Sequence, residues 1–154
     1  MKLTAFLIVV EDIAVSRRFY EEVFCEKVLY DFGENIQFES NLSIHQKAHF
    51  ARVTGISAND IANKTHNAEI YFEEDDLEDF FARIQALRIP MLHGPSEQPW
   101  GQRVLRLFDP DGHLIEVGET LQSVVKRYLA QGLSVQETAR RTSMPLEFVE
   151  GLRG

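Results

Sequence analysis

Cysteine is almost missing. Cys25 stands alone among 154 residues, so no disulfide can form within the chain, and the composition fits the reducing cytosol, the compartment expected here. No pattern of basic residues surrounds Cys25 to favour a thiolate, so it is expected as buried apolar filler at a helix end. Long apolar runs are missing too: none approaches the roughly 18–20 residues that cross a bilayer, which argues against a membrane partner. The opening stretch, residues 1–10, has too short an apolar run and no small-residue cleavage site, and reads as a first strand rather than a signal peptide. Positive charge is also scarce, with 16 Lys/Arg against 24 Asp/Glu and a net charge of −8. The deficit is uneven. Residues 121–154 hold five basic and three acidic residues, leaving eleven basic and twenty-one acidic residues for 1–120. So acidic a main domain argues against nucleic acid as its ligand and is compatible with a cationic one, though solubility alone would call for the same charge. The 44 % of hydrophobic residues is enough for one core of ordinary size.

What is present is a pattern that runs twice. Residues 3–10 are β-rich and end at Glu11-Asp12, where Asp12 is a good helix N-cap. Ile13, Ser16, Phe19, Tyr20, Val23 and Phe24 follow at helical spacing. Strands are predicted over 27–32, 35–39 and 42–46, separated by Gly33-Glu34 and Ser40-Asn41. Residues 47–66 are polar and read as a short helix plus a connector. Then residues 68–73 form a strand, Asp75-Asp76 caps a helix, and Leu77, Phe80, Phe81, Ile84 and Leu87 make its apolar stripe. A strand over 89–92 and a loop from His93 to Gly101 follow. Placing Asp12 on Asp76, an offset of 64 residues, lays Phe6-Leu7-Ile8 on Ile70-Tyr71-Phe72 and Ile13 on Leu77. Such self-similarity implies two copies of one β-α-β-β-β unit. The predicted fold is therefore α+β: two paired modules forming a curled sheet around a cavity, with module one at 3–58, module two at 67–118 and the whole domain at 1–119.

The second copy closes on Arg106-Leu-Phe-Asp-Pro-Asp-Gly-His-Leu-Ile-Glu-Val117. In Asp109-Pro110-Asp111-Gly112, Pro110 fixes φ and Gly112 tolerates positive φ, which makes a hairpin turn. His113 is expected to pack on or cap that turn. Glu116 is out of character between Ile115 and Val117; a carboxylate in a buried strand needs a partner, a metal or a ligand. Glu69, Tyr71 and Glu73 alternate onto one face of their strand, and His45 similarly interrupts an apolar one. Arg106 is placed to hold an anionic ligand group or, more commonly, to pair with an acidic residue on a neighbouring strand. His49, His66 and His93 carry no spacing signal.

These motifs resemble the vicinal oxygen chelate superfamily, which includes glyoxalase I, extradiol dioxygenases, fosfomycin-resistance enzymes and bleomycin-binding proteins. The resemblance covers roughly residues 3–118. It rests on Val10-Glu-Asp-Ile13 with Ser16 and Phe19-Tyr20, on Gln98-Pro-Trp-Gly-Gln-Arg103, and on Asp109-Pro-Asp-Gly-His-Leu-Ile-Glu116. The four metal-ligand positions of the superfamily fall on Ala5, His45, Glu69 and Glu116, with His45 taken as the repeat mate of Glu116. Ala5 cannot bind a metal. The resemblance thus implies one of two sites. In the first, His45, Glu69 and Glu116 hold a divalent ion (Ni, Zn, Mn or Fe), and a displaced Glu69 or Glu116 shuttles a proton in a lyase or isomerase reaction on a small oxygenated substrate. In the second, equally open, there is no cofactor, and Trp100, Tyr71, Phe38 and Arg106 line a site that binds a drug or metabolite. A homodimer is the implied assembly.

Residues 120–154 form a helical tail: a helix over 121–131, a second opened by the capping box Ser134-Val-Gln-Glu137, and a third with Pro145 at its first position and its end at Gly154. The stretch from Gly132 to Thr142, with Leu146 and Val149, resembles a helix-turn-helix. A ligand-responsive DNA-binding regulator is therefore a third function class. The sparse basic charge disfavours it, and packing on the main domain is the blander alternative.

Overall fold

The computed structural model describes residues 1–153. Strand β1 (Phe6–Val10) leads into helix α1 (Ile13–Phe24), followed by strands β2 (Val28–Asp31), β3 (Asn35–Phe38) and β4 (Leu42–Gln46). Helix α2 (Lys47–Thr54) and a 3₁₀ turn at Ala58–Asp60 come next. The sequence of elements then repeats as β5 (Glu69–Glu74), α3 (Leu77–Ala86), β6 (Met91–Glu97), β7 (Arg103–Phe108) and β8 (Leu114–Glu119). Both capping residues act as expected. Asp12 accepts from the backbone N–H of Ala14 and Val15 at 2.9 and 3.1 Å, and Asp76 from that of Asp79 at 2.9 Å.

Each copy builds its own four-stranded sheet with the same connectivity, β1-β4-β3-β2 and β5-β8-β7-β6. In each, the first and last strands are parallel and the remaining neighbours antiparallel. Register sharpens the internal repeat. Phe6 pairs with Leu42 and Ile70 with Ile115, so the 64-residue offset makes Ser43, not His45, the counterpart of Glu116. His45 corresponds instead to Gly118, two residues further along.

The chain divides into two compact units. One comprises Met1–Ala68 with the turn Asp109–His113, the other Glu69–Phe108 with Leu114–Gly154. In unit one, Ile8, Val10, Tyr20, Val23, Ile36, Phe38 and Ile44 form the core. The Asp109 turn is tied in by polar bonds. The fully buried Tyr20 hydroxyl donates to Asp109 at 3.0 Å, the His113 ring bonds the same carboxylate at 2.8 Å, and Ser16 and the Glu11 N–H donate to Asp111. His113 thus braces the turn. Burial alone would lower its pKa, but the bond to and charge of Asp109 raise it. In unit two, Leu77, Phe80 and Ile84 of α3 are buried along with Leu105, Leu107, Ile115 and Val117 of the sheet.

The tail forms helices α4 (Leu121–Ala130), α5 (Val135–Thr142) and α6 (Leu146–Gly151) around Val125, Val135 and Val149. The capping box of Ser134 and Glu137 is present. Several boundaries differ from expectation. β6 starts at Met91 and continues through His93, Gly94 and Pro95, which the sequence suggests as loop. β6 is an edge strand with two register shifts, where a proline without an N–H is tolerated. Pro145 is the cap of α6, not its first residue, and the expected end of that helix at Gly154 lies outside the described residues. Cys25 is exposed rather than buried, because it ends α1 in a left-handed conformation (φ 55°), beyond the buried stripe of Ser16, Tyr20 and Val23. His49 lies in α2, the short helix expected after residue 46.

Removing the Tyr20 hydroxyl leaves the buried Asp109 short of a donor. Tyr20→Phe is expected to cost about 1–3 kcal/mol of unfolding free energy, measured by urea denaturation at neutral pH; a loss near zero would show that the turn does not depend on this bond.

Candidate ligand-binding site

Register assembles the site. One row across the second sheet reads Tyr71 on β5, Glu116 on β8, Arg106 on β7 and His93 on β6, each residue paired with the next. The alternate residues Ile70, Phe72, Ile115, Val117, Leu105 and Leu107 supply the apolar face of the sheet, so this polar row belongs to the other, open face. Arg106 is its centre. Its Nε donates to Glu69 at 2.7 Å, one Nη meets the Glu116 carboxylate, and the other lies 3.3 Å from Nε2 of His93. Nδ1 of His93 is 2.8 Å from the Gly94 carbonyl, which can only accept; that nitrogen therefore carries the proton, and Nε2 accepts from Arg106. The guanidinium is stabilised first by the bond to Glu69 and also by the charge of Glu116, which raises its pKa. The Glu116 side chain is 11 % exposed. Burial pushes its pKa up and the charge of Glu69 adds to this, with Arg106 opposing.

Beside this cluster is an aromatic edge fixed by Gln102, which is nearly buried. Its side-chain N–H donates to the Tyr71 hydroxyl at 2.9 Å and to the Glu119 carbonyl at 2.7 Å, and its oxygen accepts from the Trp100 indole at 3.1 Å. The Tyr71 hydroxyl donates in turn to Glu73 at 3.2 Å. These groups crowd over Gly118, where a Cβ would lie 2.9 Å from both Gln102 Nε2 and the Tyr71 oxygen. The rings of Tyr71 and Trp100 remain about half exposed, at 47 % and 49 %.

Of the residues singled out in the sequence, Glu69, Tyr71, Trp100, Arg106 and Glu116 therefore belong to one face of unit two. Two others lie in unit one. Phe38 is fully buried, with its ring 5.8 Å from that of Tyr20, so it lines the core and not an open face. His45 is 8 % exposed. Its Nε2 is 2.7 Å from Nδ1 of His49, and its own Nδ1 is buried without a partner; burial, then the proximity of His49, lowers its pKa. Among the described residues, no group of three His, Cys, Asp or Glu side chains is placed to hold a metal ion. Sequence reasoning missed His93 and Gln102. Gln102 was within reach through the Trp-Gly-Gln-Arg motif, whereas His93 stands in a segment that reads as loop.

Residues 3–122 match the family of glyoxalase-like domains. The chain belongs to that family. Its fold is also that of solved structures. A protein of unknown function from Agrobacterium tumefaciens str. C58 is 35 % identical, with a TM-score of 0.69 over 79 % of this chain and 95 % of that one. A lactoylglutathione lyase from Agrobacterium tumefaciens (23 % identity, TM-score 0.60, 77 % and 93 % covered) and a glyoxalase-related enzyme from Fulvimarina pelagi (18 %, 0.66, 77 % and 88 %) share the fold at lower identity. No curated protein matches in sequence. No helix among the described residues is long and apolar enough to cross a membrane.

Arg106→Met would leave two carboxylates facing each other, one of them buried. The expected cost is about 1–3 kcal/mol at pH 7, below that of a wholly buried pair because Glu69 is partly exposed. Without the guanidinium the folded-state pKa of Glu116 rises further. For a carboxyl raised above its ordinary 4.5, stability is present below that value and lost as pH climbs through the folded value. The deficit of the variant should therefore be largest at neutral pH and shrink as pH falls below about 4.5, as urea melts at the two pH values would report; an equal deficit at both would contradict the charge argument.

Proposed function

We propose that this protein binds, without a metal, a small organic cation with a flat apolar part on the open face of the second sheet. One observation carries this reading: the Arg106 guanidinium lies between Glu69 and Glu116. Those carboxylates already act as a site for an organic cation, supplied from within the chain. Glu69, Glu73 and Glu116 outnumber the one guanidinium, and His93 is neutral in the tautomer its bonds select, so the face keeps a negative potential. Half-exposed Trp100 and Tyr71 beside it offer ring faces to a cationic ligand. The net charge of −8 supports the same sign of ligand.

The metal-dependent lyase reading, with His45, Glu69 and Glu116 as ligands, fits these residues less well. Ala5 supplies no donor, the register counterpart of Glu116 is the hydroxyl of Ser43, and both glutamates are engaged by Arg106, which a metal would have to displace. The raised pKa of Glu116 is the one feature that favours proton transfer, and burial beside Glu69 accounts for it without a catalytic role. The lyase neighbour, at 23 % identity, speaks for the fold alone. For the homodimer implied by the resemblance, the exposed Phe6, Leu7, Tyr30 and Phe32 of unit one give support. Against DNA binding through the tail stand Glu147 and Glu150 on α6 and the engagement of Arg141 with Glu97 at 2.8 Å.

Titration with phenyltrimethylammonium should give saturable binding by calorimetry, weakened about tenfold by Trp100→Leu, as expected for loss of a cation–π contact. A stoichiometric divalent ion in protein purified without affinity-tag metal, and lost in Glu69→Gln, would overturn the metal-free reading. A mobility-shift assay with duplex DNA should show no salt-sensitive complex; a retarded band that disappears with salt would restore the regulator.

A further inference from the structure

The densest ionic cluster in unit two is away from the ligand face, where the tail meets the strand ends. Glu119, the last residue of β8, is 2 % exposed. It accepts from the backbone N–H and Nε of Arg103, both at 2.9 Å, and from Nε and Nη2 of Arg127 on α4 at 3.0 and 2.8 Å. Arg127 also donates to the carbonyl of Gly101 at 2.6 Å, and the Tyr128 hydroxyl approaches the same oxygen at 3.4 Å. Gly101 holds φ at +88°, and a Cβ there would meet the Tyr128 hydroxyl at 2.4 Å, so the tail ring packs directly on the loop backbone. Tyr128 is itself held from both sides. The Arg127 guanidinium lies 4.7 Å from its ring centre, and Arg141 Nε is 3.3 Å from its oxygen while the same guanidinium pairs with Glu97.

The residues flanking Gly101 are Trp100, one ring of the aromatic edge of the ligand face, and Gln102, which fixes that edge. We propose that the C-terminal tail is a positioning element of that face: Arg127 and Tyr128 grip the Gly101 backbone and thereby fix where Trp100 stands. The tail and the aromatic wall are then one mechanical unit, and whatever displaces the tail displaces Trp100. Coupling of this kind is reciprocal, so a ligand stacked on Trp100 also favours the docked tail. The family match ends at residue 122, and both gripping residues lie beyond it. The tail is therefore an addition through which this chain sets the shape of a face built from shared elements. For its consequence for binding, the inference rests on the reading of Trp100 as a ligand wall; for its mechanical content it does not.

Trp100 is the single tryptophan, so its fluorescence reports the loop in the full chain with no ligand present. Arg127→Met should shift the emission to the red and raise acrylamide quenching about twofold relative to the native chain, with Arg127→Lys falling between. Arg140→Met, an exposed change in the same tail, should alter neither. Tyr128→Phe keeps the ring and removes only the hydroxyl, and it decides by the same readout if Arg127→Met fails to fold. Native-like emission and quenching in a folded Arg127→Met, or in Tyr128→Phe where that variant decides, would overturn the inference. With phenyltrimethylammonium as probe, Arg127→Met should also weaken binding severalfold. If the native chain does not bind the probe, the proposed function fails while the fluorescence result still stands.

Discussion

A carboxylate inside a sheet is tolerated only when a cation meets it, and unit two satisfies that constraint twice on the same pair of strands. Glu116 and Glu119 are three residues apart on β8, at 8 % and 2 % exposure. Arg106 and Arg103 are three apart on the antiparallel β7; the register sets Arg106 opposite Glu116, and Arg103 donates to Glu119 at 2.9 Å. Left unpaired, the more buried Glu119 would cost several kcal/mol and Glu116 about 1–3 kcal/mol, a sizeable share of what a small domain has in reserve. The pairs are therefore a condition of the sheet forming in this register, as well as contributors to its chemistry. Each pair then recruits a third group. Glu69 joins Arg106 on the face proposed to take a ligand; Arg127 joins Glu119 and ties α4 to the end of β8. Site and tail attachment are two outcomes of one solution to a desolvation problem.

The fold was legible because its signals are local. Asp12 and Asp76 announce their helices by capping chemistry, and the apolar stripes after them repeat at 3.6 residues. The 64-residue offset between the two is visible without knowing any long-range contact. What local reading misplaced was β6. Pro95 and Gly94 read as punctuation, yet an edge strand with bulges can carry both, and whether a strand lies at an edge is a property of the sheet order rather than of the segment.

The site was legible to a different depth. Glu116 stood out because a charge interrupts an apolar strand, and Arg106 because it lies beside a hairpin at the right parity to pair across it. Phe38 could have been placed correctly. Ile36 and Phe38 alternate with Asn35 and Gln37, and the apolar pair belongs to the core. The repeat mate of Glu116 is a harder case. A slip of one residue turns a strand inside out and would have been noticed, but Ser43 and His45 are two apart and share a face, so the hydrophobic pattern is the same for either. Only the hydrogen-bonded register separates them, and it selects the residue with no charge. The same limit hid His93, whose link to Arg106 exists only through strand pairing.

In the tail, a packing pattern and a DNA-reading one look alike in sequence. A capping box, a short turn and apolar residues at helical spacing are what any three-helix cluster needs to bury Val125, Val135 and Val149, whether or not it meets DNA. The direction of the charges discriminates. A surface made for phosphate turns its arginines outward, free of carboxylates. Here Arg127 and Arg141 turn toward Glu119 and Glu97 of the sheet, and the third helix presents Glu147 and Glu150. Two of the five basic residues behind the net charge of +2 over residues 121–154 are thus paired with acidic residues of the sheet, a charge balance that favours docking over phosphate.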